Sequence, residues 1–351
     1  MLRIHKYFEI AIAKKSSDLH LKAGSPPTVR VGGRLLPLPE EPFAYQEMPN
    51  LFLPLMGVRE QELLRTCMEA NFMINYQNRW RIRVCIFRQR GCLSGAFRFI
   101  PTKVPSIDSL KLPQKLKEMA LRPRGLFLVT GPANSGKSHT LAAMVHEINK
   151  GCARHIITIE DPIEFVHKPR KALFTQREIG TMTQDYQSAL IYALREDPDV
   201  ILVGEMRDIS TIEMVLTAAE TGHLVIGTLA TSSAAKSVDR IIDAFPPGEQ
   251  NQVRAMVSES LKAVVSQRLI PNKAGTGLEL ALEILIGTLS VANLIRDAKT
   301  FQLQSLMQTG RNIGMQLMDD SLLKLVKEDK IAVEQALAVA SNKKLFQAQV
   351  S

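Results

Sequence analysis

Cysteine is scarce in this chain and never paired: Cys67, Cys85, Cys92 and Cys152 form no CxxC and no metal-ligand spacing. This argues against a zinc module or a disulfide framework and for reduced thiols in a cytosolic protein. Long apolar runs are missing as well. The longest, Leu278 to Ile295, carries Glu279 and Glu283 near its start, so a membrane span is not expected. The opening residues Met1 to Glu9 are charged and amphipathic, which does not read as a signal peptide. Aromatic residues are only 5% of the total, little material for stacking bases, and no basic stripe interleaved with aromatics is visible. No nucleic-acid partner is therefore expected. There is no internal repeat and no low-complexity tract.

What is present is the composition of an ordinary globular protein. The 351 residues are 45% apolar and 23% charged, enough for two domains with sizeable cores. A net charge of +9 suits nucleic acid or an anionic membrane surface, and equally an arginine-rich ATP binder. The basic residues are spread out, with local concentrations from Arg79 to Arg90 and from Lys168 to Arg177, so charge alone selects none of these.

The most specific stretch is Gly131-Pro132-Ala133-Asn134-Ser135-Gly136-Lys137-Ser138, a GxxxxGK[ST] pattern. It follows the apolar run Leu126–Thr130 and leads, through His139, into a segment patterned as a helix up to Ile148. Gly131 and Gly136 let the backbone turn its N–H groups around phosphate oxygens. The helix start adds partial positive charge, Lys137 reaches the outer phosphates and the Ser138 hydroxyl suits Mg²⁺. A helix dipole offers about 1 kcal/mol to an anion, against roughly 8 kcal/mol for micromolar binding, so the parts must act together. Asn134, within the loop, is a residue that tolerates left-handed backbone angles.

The periodicity divides the chain. Ile4, Tyr7, Phe8, Ala11 and Ile12 predict an amphipathic opening helix. Asp18–Leu21 and Thr28–Val31 read as strands, the latter followed by a Gly32-Gly33 turn; Arg79–Phe87 and Leu93–Ile100 read as an antiparallel pair. This α+β part is expected to span 1–100. A proline-punctuated connection, 101–124, leads to an α/β part over 125–351, with strands Leu126–Thr130, His155–Ile159, Val200–Val203 and Leu224–Thr228. From about Gly248 onward the pattern reads as mostly helical.

Carboxylates follow two of those strands. Glu160-Asp161-Pro162-Ile163-Glu164 comes after the second, and Gly204-Glu205 after the third, where an open α/β sheet binds its ligands. Glu205 has the placement of a Walker B acid that holds Mg²⁺, and Glu164 suits a carboxylate that polarises water. His223, in Glu220-Thr-Gly-His223, has two readings: contact with the phosphate end, or packing and capping.

The stretch Leu194-Arg195-Glu-Asp-Pro-Asp-Val-Ile-Leu-Val-Gly-Glu205-Met-Arg-Asp208 resembles the signature of the secretion ATPases that power type II secretion and type IV pili. With Ser17–His20, Ile157–Phe165, Ala218–His223, Ser232–Lys236 and Asn293–Arg296, the chain looks like the pilus retraction ATPases of the PilT type over nearly its whole length. The resemblance implies a PAS-like N-terminal domain, a RecA-like P-loop ATPase domain with a helical C-terminal part, and a homohexamer using ATP and Mg²⁺. It makes Gly131–Ser138 the Walker A motif, Glu205 the Walker B acid and Glu164 the catalytic glutamate, with His223 and Arg195 in the catalytic set and His139 beside the nucleotide. Arg81 and Arg98 fall where N-terminal-domain arginines of such motors approach nucleotide from a neighbouring subunit; the other reading is that they solvate an edge strand. The implied partners are an inner-membrane pilus platform protein and a second retraction ATPase. The implied place is the cytoplasm at the inner-membrane base of the pilus machine, with peripheral membrane association only. Two departures stand out. Ala230 occupies the histidine position of the family's Gly-Thr-Leu-His-Thr, leaving open an accessory PilU-like role; a pilus assembly or secretion ATPase of the same superfamily is a further alternative, and a DNA translocase the alternative from a different class. Ser290-Val-Ala and Asp297 flank Asn293-Leu-Ile-Arg296 in place of the usual residues.

Overall fold

The computed structural model describes residues 2–350, the Val350 side chain excepted; Met1 and Ser351, the outer limits of the two expected domains, lie outside the described residues. The chain divides into two units, Met1–Lys103 with Ala274–Leu278, and Val104–Lys273 with Glu279–Ser351.

In the first unit the helix Ile4–Ala13 buries Ile4, Tyr7, Phe8 and Ala11, the face that its spacing predicts. Six strands follow: β1 (Asp18–Lys22), β2 (Thr28–Val31), β3 (Arg34–Pro37), β4 (Glu69–Tyr76), β5 (Trp80–Gln89) and β6 (Cys92–Pro101). They form one antiparallel sheet in the order β3-β2-β1-β6-β5-β4. Along β5, Ile82, Val84 and Ile86 are buried while their neighbours are not, the alternation of a sheet with one covered face. Phe8 closes that core, its ring 5.3 Å from Phe97 and 5.4 Å from Tyr76.

The second unit is built on β7 (Gly125–Thr130), β8 (His155–Glu160), β9 (Leu173–Glu178), β10 (Val200–Val203), β11 (Leu224–Leu229), β12 (Leu261–Pro271) and β13 (Leu278–Ile286). The sheet order is β13-β12-β7-β11-β10-β8-β9, and every pairing from β12 to β9 is parallel. All six residues of β7 and of β11 are buried, as expected of strands covered by helices on both faces. The parallel register carries Thr130, Glu160, Val203 and Leu229 to one edge of the sheet, the carboxyl edge. Asp199 N–H donates to the His155 carbonyl, Leu224 N–H to Asp199 and Gly125 N–H to His223, which marks the opposite edge.

Two features differ from the sequence reading. The region after Gly248 is not helical throughout: it holds β12 and β13, whose buried runs lack the alternation that would have announced strands. β9, short and only partly buried, carries too little apolar pattern to be seen. Among the described residues, no helix is long and apolar enough to cross a membrane.

Candidate functional site

The residues 131–136 join the carboxyl end of β7 to the helix Lys137–Gly151, so the loop sits at a helix N-terminus. Its backbone needs the residue types found. Gly131 has φ 148° and Gly136 φ 86°, and Asn134 occupies the left-handed region at φ 63°. A Cβ on Gly131 would collide with the Gln267 carbonyl oxygen of the adjacent β12. Lys137 Nζ donates to the Gly131 carbonyl at 2.8 Å and to Pro132 at 2.9 Å, which folds the lysine over the loop. Burial lowers the Lys137 ammonium below its ordinary value, and the charges of Glu205 and Glu164 oppose that shift. The loop lysine therefore lies within electrostatic reach of both acids.

Glu164 is held through its neighbours. On β9, Glu178 Oε2 accepts the Ile163 N–H at 3.0 Å, Gln176 Nε2 donates to the Phe165 carbonyl at 3.0 Å, and Gln176 Oε1 accepts the His167 N–H at 2.8 Å. The side chain of Glu164 stays partly exposed between two buried apolar neighbours, Ile163 and Phe165. Glu160, at the start of this segment, is engaged locally, accepting from Thr158 Oγ1 at 2.7 Å and Gln176 Nε2 at 3.2 Å.

Glu205 stands just past β10. Gly204 N–H donates to the Ile159 carbonyl at 2.8 Å and Thr228 Oγ1 to the Gly204 carbonyl at 2.5 Å, fixing the turn that presents the acid. Arg207 Nη2 donates to Glu205 Oε2 at 2.6 Å. The Tyr186 hydroxyl lies 3.0 Å from where a Cβ on Gly204 would sit. Burial, with the charges of Asp161 and Glu205, raises the Tyr186 hydroxyl above its ordinary value, so it stays protonated. Arg207 and Tyr186 were not singled out in the sequence: Arg207 lay inside the quoted signature with nothing to mark a role, and Tyr186 gives no local signal.

Two of the remaining candidates, His223 and Arg195, do not gather here. His223 lies on the opposite edge, its carbonyl bonded to Gly125 N–H at the start of β7 and its Nδ1 donating to the Ala218 carbonyl at 2.9 Å. The length of β7, roughly 17 Å, separates it from the loop, so of the two readings of His223 the capping one describes its place within the chain. Arg195 is exposed after the helix Tyr186–Ala193, which runs from the carboxyl edge back toward β10, so it too is removed from Lys137. Arg81 and Arg98 belong to the first unit, on β5 and β6, where Arg98 Nε donates to Asp18 Oδ1 at 2.9 Å. His139 packs edge-on against Phe165 with centroids 5.0 Å apart. Burial lowers its imidazole pKa, opposed by Glu164.

Among the described residues no group of three His, Cys, Asp or Glu side chains is arranged to hold a metal. A hydroxyl at Ser138 and one carboxylate at Glu205 are hard oxygen donors. That sparse set suits Mg²⁺, which takes most of its ligands from phosphate and water.

The sequence profile of the family described as type II/IV secretion system protein matches residues 106–348. The type IV pilus retractation ATPase PilT of Pseudomonas aeruginosa is 47% identical over 321 residues, 92% of this chain and 93% of that one. A twitching motility protein of Neisseria gonorrhoeae is 49% identical over 318 residues, 90% of this chain and 84% of that one. The crystal structure of the pilus retraction motor PilT with bound ADP superposes with a TM-score of 0.87 at 42% identity, covering 99% of this chain and 100% of that one.

Proposed function

Because the chain belongs to the type II/IV secretion system protein family, we propose that it is an ATP-hydrolysing motor that powers type IV pilus retraction. One observation carries the reading at the level of chemistry: the loop after β7, with left-handed Asn134 and Lys137 folded over it, shares one edge of the parallel sheet with the segments that follow β8 and β10. A phosphate-binding nest and two carboxylates are thus close neighbours at the carboxyl edge of the sheet.

The phosphates of ATP lie against the N–H groups of 131–138, and Lys137 offsets their charge. Glu164 orients a water and accepts its proton while the water oxygen bonds to the γ-phosphorus and the bond to the ADP oxygen breaks. Ser138 and Glu205 would hold Mg²⁺, which would supply positive charge against the phosphates; Glu205 would give up its bond to Arg207 to do so.

Six copies form the working ring, and Arg81 and Arg98 reach the nucleotide of a neighbouring subunit. The ring works in the cytoplasm on an inner-membrane platform protein at the base of the pilus, with only peripheral membrane association. The test is pilus retraction in cells lacking this protein, with Glu205→Ala as a rescue control. Hyperpiliated cells that do not retract support the reading; bald cells indicate an assembly motor instead.

Ala230 favours a second reading. It is exposed just past β11, where retraction ATPases carry histidine, and it lacks any group to contact phosphate. An accessory motor beside a second retraction ATPase fits that loss. Slow turnover by the purified chain alone, raised by the second ring, would select this reading.

A further inference from the structure

A loop that cradles phosphate turns its N–H groups inward, and any carbonyl it turns into the protein needs a donor there. For one carbonyl of this loop the donor comes from outside the motif: Gln267 Nε2, on β12, donates to the Ser135 carbonyl at 2.7 Å. Gln267 is 1% exposed and Ser135 2%, so a bond to bulk water cannot replace this one.

The same strand meets the loop at both ends. Ser266 pairs in register with Thr130, the residue before the loop, and their hydroxyls are 2.7 Å apart in a fully buried position. The Gln267 carbonyl fills the space beside Gly131, and its Nε2 lies 3.2 Å from where a Cβ on Gly136 would be. Packing alone does not explain the amide at this position, because an apolar side chain would fill the same space. The amide also leaves Oε1 buried and without a hydrogen-bond partner, as is Ser135 Oγ. A buried amide kept in spite of an unsatisfied oxygen is most simply kept for its donor.

We infer that Gln267 is a positioning residue for the nucleotide phosphates. It holds the Ser135 carbonyl toward β12 and so keeps the N–H groups that follow aimed into the nest. It touches no reacting atom. The inference rests on reading 131–138 as the nucleotide site.

The experiment measures ADP affinity by calorimetry and steady-state ATP hydrolysis on the full chain, Gln267→Met and Gln267→Glu. Methionine keeps the length and volume but cannot donate. The expected result is a rise of about tenfold in the ADP Kd and in the KM for ATP, equivalent to about 1.4 kcal/mol, with a smaller change in kcat. A residue that served the fold alone would lower the thermal midpoint without nucleotide and leave Kd and KM unchanged.

The glutamate variant gives a second signature and decides the matter should the methionine variant not fold. Its ionised carboxylate cannot donate to the Ser135 carbonyl, whereas the protonated form can. Burial raises such a carboxyl above its ordinary value of about 4.3, so the variant's ADP affinity relative to wild type should recover as the pH falls through that raised value. An ADP Kd in Gln267→Met within about twofold of wild type, or a relative affinity of Gln267→Glu that is independent of pH, overturns the inference. A wild-type chain that binds no ADP instead overturns the reading of the site, and the inference with it.

Discussion

Glu178 Oε2 accepts the backbone N–H of Ile163 at 3.0 Å, which ties the residue before Glu164 to a strand that takes no part in the phosphate loop. Gln176, two residues back on β9, holds Phe165 and His167 on the other side. The catalytic carboxylate proposed here is thereby aimed by backbone bonds rather than by contacts of its own side chain.

Removing that support should misplace Glu164 without touching the phosphate nest. In Gln176→Ala and in Glu178→Ala, kcat is expected to fall between about 10- and 100-fold, since misplacement by an ångström has effects of that order. The KM for ATP and the ADP affinity should hold. A joint loss of ADP affinity and kcat would mean that β9 supports the whole site rather than Glu164 alone.

His223 leads to the opposite expectation. Its Nδ1 bond to the Ala218 carbonyl caps the end of the helix Ile209–Glu220 at the far edge of the sheet. His223→Ala should lower stability by about 1 kcal/mol and leave ADP affinity at the wild-type value. A drop in ADP affinity would return His223 to the nucleotide site.

His167 should contribute to acid sensitivity. Burial pushes its imidazole from the ordinary 6.5 down to about 4, with His146 adding to the effect, while its ring stacks on Phe174 at 4.9 Å. The folded state then binds fewer protons than the unfolded chain between those two values. The stability contributed is complete above about pH 6.5 and is lost as the pH falls toward about 4, by about 3 kcal/mol in all. His167→Phe preserves the stack and cannot titrate. Urea midpoints at the two ends of this window should show a smaller acid loss in the variant; equal losses would show that His167 does not titrate in the fold.

Much of the site was legible because its parts are local in sequence. Gly131, Gly136 and Lys137 announce a loop whose backbone angles only a few residue types accept, and Glu164 and Glu205 follow strands whose buried runs are easily read. What escaped depends on the sheet order. Gln267 lies far along the chain and meets the loop only because β12 pairs with β7, and β9 reaches Glu164 only because it pairs with β8. His223 and Arg195 stand in segments that resemble the family signature, yet the direction of the parallel strands sends them to the other edge. The strands β12 and β13 were hidden for a different reason: a buried run without alternation does not distinguish strand from helix.

The central claim is that Glu164, in the segment that follows β8, activates water against a triphosphate held by the loop after β7. ATP binding and single-turnover hydrolysis in Glu164→Gln test it most directly, because glutamine keeps the shape and loses the base. The account predicts an ATP Kd within about twofold of wild type and hydrolysis slower by at least about 100-fold. Hydrolysis at the wild-type rate by a variant that binds ATP normally would contradict it.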